Sequence, residues 1–383
     1  MLMTIWANMV SEQIILALLF IFFVRFLLIL LGIIKEHSKH LPELNTEDLP
    51  FVSVIVPARN EEETIASCLL AINENTYPKN KYEIISINDR STDNTEAEIN
   101  KVAAKIPNLR IKKLEKERKR KNLRGKPGAI QTCIDDAKGE IMLLTDADCK
   151  PDQKWIETLV RGFKDKDIGL ISSFTHVTGS RFFDRLQSAE WLYLNTIGSA
   201  AVGWKKPMSC FGNNLAVRRS DFMNVGGYEK IPFSVTEDLA LLHSIHGSGK
   251  KVRYLPHPDS IVRTKPNKTL KDYFRQHHRW AVGAKDIGIL SFLFVLTSVS
   301  MWSALFIAIA CKMIPWIIGI VLFRMILDQI ILSYAIYATK MHTLWKWVFP
   351  SVFFFMLMEL IAPFLLLKKN IIWKDQKFKK KNL

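Results

Sequence analysis

The chain has 383 residues, a formal charge of +16 and a pI near 9.5, and 49% of its residues are hydrophobic. The apolar residues crowd into the first 34 positions and the last hundred, which excludes a wholly water-soluble chain. Five cysteines (Cys68, Cys133, Cys149, Cys210, Cys311) show neither paired metal spacing nor a disulfide framework, so free thiols are expected.

The run Ile14–Ile34 has the roughly 20 apolar residues that a bilayer span needs. It lacks the basic start, short apolar core and small-residue cleavage site of a signal peptide. Residues 1–35 therefore read as a retained anchor, followed by a linker at 36–50. Next, "FVSVIVPARNEE" reads as a strand at Phe51–Val56 stopped by Pro57. Glu61–Glu63 are expected in the first turn of a helix, where the dipole favours them. "YEIISINDRSTDNT" repeats this grammar, with a strand at Glu83–Asn88 and Thr92 or Asp93 able to cap a helix. "EIMLLTDADCKPD" supplies a third buried strand. Strands alternating with helices predict an α/β fold with a mostly parallel sheet and helices on both faces. Ligands of such sheets bind at the carboxyl ends of the strands, so "PARNE", "NDRSTD" and "TDAD" are expected to line one crevice.

Asp146 and Asp148, two residues apart just past a strand, can approach one cation from the same side. Carboxylate oxygens suit Mg²⁺ or Mn²⁺ together with substrate phosphates. The basic run Lys112–Lys126 lacks interleaved aromatics, so nucleic acid is not expected; a solvated loop, or one drawn to anionic lipid, fits better. Thr236, Glu237 and Asp238 fall at a helix start, where Thr236 can cap and one of the acids can serve as a general base. His243 and His246 read as an ordinary pair rather than a metal site, and Gly226–Gly227 as a turn. His277 and His278 are adjacent, so their side chains diverge and a shared metal is not expected.

Three further apolar segments come next: Ile287–Cys311, Ile314–Ala338 and Trp347–Leu367. They contain Arg324, Asp328 and Glu359, and charges at that depth face a neighbouring helix or a polar cavity. The middle of the chain and the tail are both basic, so both are expected on the cytoplasmic side. Three full crossings between them would separate them. One segment is therefore expected to be re-entrant or interfacial, and the last, containing Pro350 and Pro363, is the first candidate.

In chain order stand "VIVPARNEE", "NDRSTDNT", "GKPGAIQTCI", "TDAD", "FGNNLAVRRSDFMNVGGY", "TED" and "QHHRW". Over about residues 51–282 this ordered set resembles the inverting family 2 glycosyltransferases, which have the nucleotide-diphospho-sugar transferase (GT-A) fold. Q-x-x-R-W after T-E-D resembles the membrane-bound members: cellulose, hyaluronan, chitin and poly-N-acetylglucosamine synthases, and ceramide glucosyltransferase. The resemblance implies that Pro57, Ala58 and Glu61 hold the nucleoside and Asp89 lies near a uracil ring. Asn88 stands where many members have another acid. Lys126 is implied near the nucleotide. Asp146 and Asp148 are implied to hold the diphosphate through Mg²⁺ or Mn²⁺, with Asp148 the direct ligand. Asn213 and Asn214 fall in the segment lining the acceptor site. Asp238 matches the catalytic base. Glu237, Gln276, Arg279 and Trp280 are implied at the acceptor and diphosphate.

The resemblance and the apolar segments together imply a cytoplasmic catalytic domain at 51–282, a membrane region of about three segments at 283–368 and a basic tail at 369–383. The whole is expected to be integral to the plasma membrane. The expected reaction moves a sugar from a nucleotide-sugar donor, UDP-linked by resemblance, to a membrane lipid with a β-linked product. About four membrane segments are sparse for a polymer channel, which makes a processive β-polysaccharide synthase the alternative. A non-catalytic subunit of a polysaccharide-export complex is the second alternative. Retention of Asp146, Asp148, Asp238 and Arg279 argues against it. A partner subunit is compatible with each of these readings.

Overall fold

The computed structural model describes residues 2–44, 49–367, 370–373 and 376–379. Residues 45–48 of the expected linker and residues 369, 374–375 and 380–383 of the expected tail lie outside the described residues. A long helix, α1 (Leu2–His37), leads into the crevice-forming unit. The strands there are β1 (Val52–Ala58), β2 (Tyr82–Asp89), β3 (Leu109–Leu114), β4 (Ile141–Leu144), β5 (Lys150–Pro151), β6 (Ile168–Ser173), β7 (Thr175–Val177), β8 (Leu215–Arg218), β9 (Lys251–Leu255) and β10 (Val262–Thr264). The helices among them are α2 (Ile65–Asn73), α3 (Thr95–Ala103), α4 (Lys126–Ile134), α5 (Trp155–Gly162), α6 (Phe182–Gly203), α7 (Arg219–Asn224), α8 (Gly227–Lys230), α9 (Glu237–Gly247) and α10 (Leu270–Gly283).

Seven strands form the main sheet in the order β3-β2-β1-β4-β8-β6-β9. Its pairings are parallel except on the two sides of β8, as the sequence leads one to expect. Strand β1 alternates between two cores. Val54 and Val56 pack with Ile65, Leu69 and Trp155 on one face, while Ile55 joins Ile130, Leu192 and Leu242 on the other. Burial on both faces explains its unbroken apolar run. The expected stop at Pro57 is corrected: β1 continues to Ala58, which pairs with Asn88. The ladder to β4 ends at Ile55–Leu144, so Pro57 forfeits no bond on that side. Glu61–Glu63 are likewise corrected. The helix starts at Ile65, and these acids form the turn before it.

The described residues contain four helices long and apolar enough to cross a membrane. After α1 these are α11 (Ile289–Ala310), α12 (Ile314–Thr339) and α13 (Val348–Leu365), the last preceded by a 3₁₀ turn. All five cysteines are free, and only Cys311 is exposed. The charged residues within these helices face one another. Arg324 makes two bonds to Glu359, at 2.9 and 3.1 Å, and pairs with Asp328. Arg25 of α1 reaches Glu359 at 3.3 Å and donates to Ser298 of α11 at 2.7 Å. Tyr193 of α6 donates to Asp328 at 2.9 Å. The four long apolar helices and the crevice-forming unit thus share one polar centre, in which buried charges are paired.

Helix α13 begins where Trp347 meets Phe182 of α6, with ring centroids 5.4 Å apart. It ends where Leu366 packs with Val282, Phe233 and Val235. Both ends of α13 therefore lie against the crevice-forming unit. A hairpin of β11 (Asn370–Trp373) and β12 (Gln376–Lys379) comes after it, with Ile371 packed on Val282.

Candidate active site

Strands β2, β1 and β4 lie side by side and parallel, so their carboxyl ends meet at one edge. The loops after β1 and β2 are laced together. Glu61 N–H donates to Thr95 Oγ1 at 2.8 Å, and Thr92 N–H to Asn60 Oδ1 at 2.9 Å. Asn60 and Arg90 both hold positive φ, 52° and 55°, where these two loops leave their strands. Pro57 and Ala58 end β1 at this edge, with Pro57 half-buried. The Glu61 carboxylate accepts the Thr64 hydroxyl at 2.6 Å. Asp89 ends β2, buried, and accepts from Arg90 Nε at 2.7 Å. Asn88 accepts the Ser91 N–H and donates to Glu96, which is a structural role.

Lys126, at the start of α4, joins this edge to a distant segment. Its ammonium lies 2.7 Å from Asp146 and 2.9 Å from Glu237. Burial lowers the Lys126 pKa, but Asp146, Glu237 and Asp238 more than offset this and hold it charged. Asp148 accepts from the Cys149 thiol at 3.4 Å. Burial, then Asp148 and Asp146, raise that thiol well above its ordinary value, so it stays protonated.

Helix α9 starts at Glu237, as the T-E-D spacing predicts, with Thr236 at its N-cap position. Asp238 Oδ2 accepts the Gly212 N–H at 2.7 Å. Gly212 fits closely there: a Cβ would stand 3.2 Å from the Asp238 Cβ and 3.4 Å from the Lys126 ammonium, so a side chain would press both groups aside. Loss of water, then the Glu237 charge, push the Asp238 acid up to about 6, against the pull of Lys126 and Arg279.

Arg279 and Trp280 come from α10. Arg279 Nη1 donates to the Val235 carbonyl just before Thr236, at 3.3 Å. Gly283 lets α10 touch that segment, since a Cβ there would come within 2.2 Å of Thr236 Oγ1. Trp280 packs edge-on against Trp191 and Phe211, at 5.3 and 5.5 Å, leaving a half-buried indole beside the crevice. Gln276 accepts from Asn267 at 2.9 Å. Asn213 is buried, and its Oδ1 accepts from Thr175.

Asn214 differs from expectation. It is fully buried; its Oδ1 accepts from Trp155 at 2.9 Å and its amide donates to Phe174 and Ser260. It braces the wall and offers nothing to an acceptor. Sequence reasoning also missed Glu190 of α6 and the aromatic pair Trp191–Phe211. No local signal marked them, since α6 also carries Asp184, Arg185, Gln187 and Asn195.

The donor set suits a divalent cation. Asp146 and Asp148 supply hard oxygens, and Asp146 is 38% exposed. Among the described residues no third ligand completes a protein cage, which leaves coordination positions for phosphate oxygens.

Two family models match the chain: "Glycosyl transferase family 2" over residues 53–226 and "Glycosyl transferase family group 2" over residues 141–367. The beta-monoglucosyldiacylglycerol synthase of Nostoc sp. is 26% identical over 260 residues, covering 66% of this chain and 53% of its own. The poly-beta-1,6-N-acetyl-D-glucosamine synthase of Staphylococcus aureus is 25% identical over 258 residues, covering 66% and 58%. The chain thus spans little more than half the length of these relatives. Among solved structures, the mannosyltransferase PcManGT from Pyrobaculum calidifontis, in complex with GDP-Man and Mn²⁺, matches with a TM-score of 0.59. It is 22% identical and is covered over 99% of its length by 88% of this chain. That likeness is one of fold, and the fold is the GT-A fold expected from the sequence.

Proposed function

The chain belongs to glycosyl transferase family group 2, and from that premise we propose that it is a membrane-embedded inverting glycosyltransferase with its crevice in the cytoplasm. The observation that carries this reading is Asp238. It is a carboxylate with a pKa near 6, held by the Gly212 N–H and close to both Lys126 and Arg279.

Asp238 takes the proton of the acceptor hydroxyl as its oxygen attacks the anomeric carbon. The bond to the diphosphate oxygen breaks on the opposite face and the nucleoside diphosphate leaves with the electron pair. One displacement inverts the centre, so an α-linked donor gives a β-linked product. The guanidinium of Arg279 receives the developing phosphate charge in a fork, and Lys126 adds a point charge. Asp146 and Asp148 would hold Mg²⁺ or Mn²⁺, which would neutralise part of that charge when bound. Pro57, Ala58, Glu61 and Asp89 form the edge that takes the nucleoside, and Trp280 offers an apolar face to the acceptor. Asn213 and Gln276 are assigned to the acceptor side with it, and Glu237 fixes Lys126.

A membrane lipid is the proposed acceptor. The centre of the membrane helices is filled by paired side chains, which supports transfer at the bilayer surface over extrusion of a polymer. The likeness to a poly-N-acetylglucosamine synthase keeps processive synthesis as the second reading. The test is to incubate the purified full chain with labelled UDP- and GDP-sugars, membrane lipid and Mn²⁺. One organic-extractable product is expected, and a chelator should remove it. A ladder of high-mass product would sink the lipid acceptor, and no transfer from any donor would sink the activity.

A further inference from the structure

Glu190 has no part in the transfer chemistry, yet it is 6% exposed in the middle of α6, facing α10. A carboxylate taken out of water costs several kcal/mol unless it is paired. Its partners among the described residues come from α10. The Tyr273 hydroxyl lies 2.8 Å from one Glu190 oxygen and 2.9 Å from the other. His277 Nε2 lies 3.0 Å from Oε1.

The other nitrogen of that ring is also committed, because His277 Nδ1 lies 3.0 Å from the Tyr273 carbonyl oxygen. Both ring nitrogens thus face acceptors. A neutral imidazole carries one N–H and can satisfy only one of them, so beside an ionised Glu190 only the doubly protonated ring makes both bonds. Burial alone would lower the His277 pKa, but the Glu190 charge more than offsets this and raises it. Among the described residues, Glu190 is the one charged group that enters this balance. Phe183 of α6 and Phe354 of α13 close the clamp over Tyr273, at 5.3 and 5.8 Å.

The clamp lies one turn from the working end of α10. The His277 ring packs on Trp280 at 4.9 Å, and Trp280 rests on Trp191, the neighbour of Glu190. We propose that Glu190 is a positioning residue: by accepting from Tyr273 and His277⁺ it sets the depth and rotation of α10, so that Arg279 and Trp280 face the crevice. This rests on the transferase reading. It gives the first variable position of Q-x-x-R-W a task in this chain, namely to carry a charge that locks the helix presenting the other three.

The test uses the full chain in lipid nanodiscs, with Glu190→Gln, His277→Gln and the double variant. Misplacing Arg279 should lower kcat about ten- to a hundred-fold. Affinity for uridine, which lacks the diphosphate that Arg279 meets, should stay within about twofold, since the nucleoside edge belongs to β1 and β2. The double variant should lose no more than the worse single one, because both remove the same contact. Hydrogen exchange should rise across Leu270–Gly283 in Glu190→Gln and stay unchanged in β1 and β2. An unchanged kcat, losses that multiply in the double variant, or unaltered exchange in α10 would each overturn the proposal. If the wild-type chain transfers no sugar, the transferase reading fails while the exchange measurement still decides the clamp.

Discussion

The crevice and the membrane core each hold a cluster of opposite charges, but the two are finished differently. Around Arg324 two arginines (Arg25, Arg324) meet two acids (Asp328, Glu359), and Tyr193 and Ser298 take up further bonding positions. That cluster is neutral and closed. In the crevice Asp146 and Glu237 share Lys126, Asp238 feels both Lys126 and Arg279, and Asp146 is 38% exposed. A closed cluster holds helices together, and an exposed one can be reached by solutes.

This contrast can be broken most sharply at Asp238. Asp238→Asn should lower kcat by about 10²–10⁴-fold in the transfer assay, with nucleotide binding kept. It should not destabilise the chain. The acid's pKa is raised on folding, so whatever stability it lends is present at low pH and lost as pH rises through 6; the amide removes that cost. The opposite pattern is expected at Glu359→Ala, which leaves two arginines facing one acid. It should cost about 3–5 kcal/mol of stability, seen as a lower unfolding midpoint in detergent, with UDP affinity kept in the fraction still folded. If Glu359→Ala leaves the midpoint unchanged, the membrane cluster does not brace the helices. A smaller effect is set by pH: kcat/KM should fall roughly tenfold per unit below about 6 and level off above it, reporting the Asp238 base. Smallest of all is Lys268→Ala, at an ion pair with Glu63 that is exposed on both sides. No measurable change in midpoint or kcat is expected; a clear one would show that distant surface charge feeds the crevice.

Much of the crevice was legible because β1, β2 and β4 are apolar runs that end abruptly in polar clusters, and parallel sheets gather such ends. Asp146 and Asp148 stood out for that reason, and Glu237 and Asp238 because they open a helix. Contacts between distant segments were not legible. Nothing in the local pattern ties Lys126 to Glu237, or pins Asn214 under Trp155. Glu190 looks like an isolated acid until α10 is laid over it. Helix α13 has the length and apolarity of a full span, and nothing in its sequence shows that both its ends touch the crevice-forming unit.

Phe349, Phe353, Leu357 and Phe364 form an exposed stripe along α13. They line about 24 Å of a helix whose two ends both touch the crevice-forming unit, so an apolar surface runs beside the crevice itself.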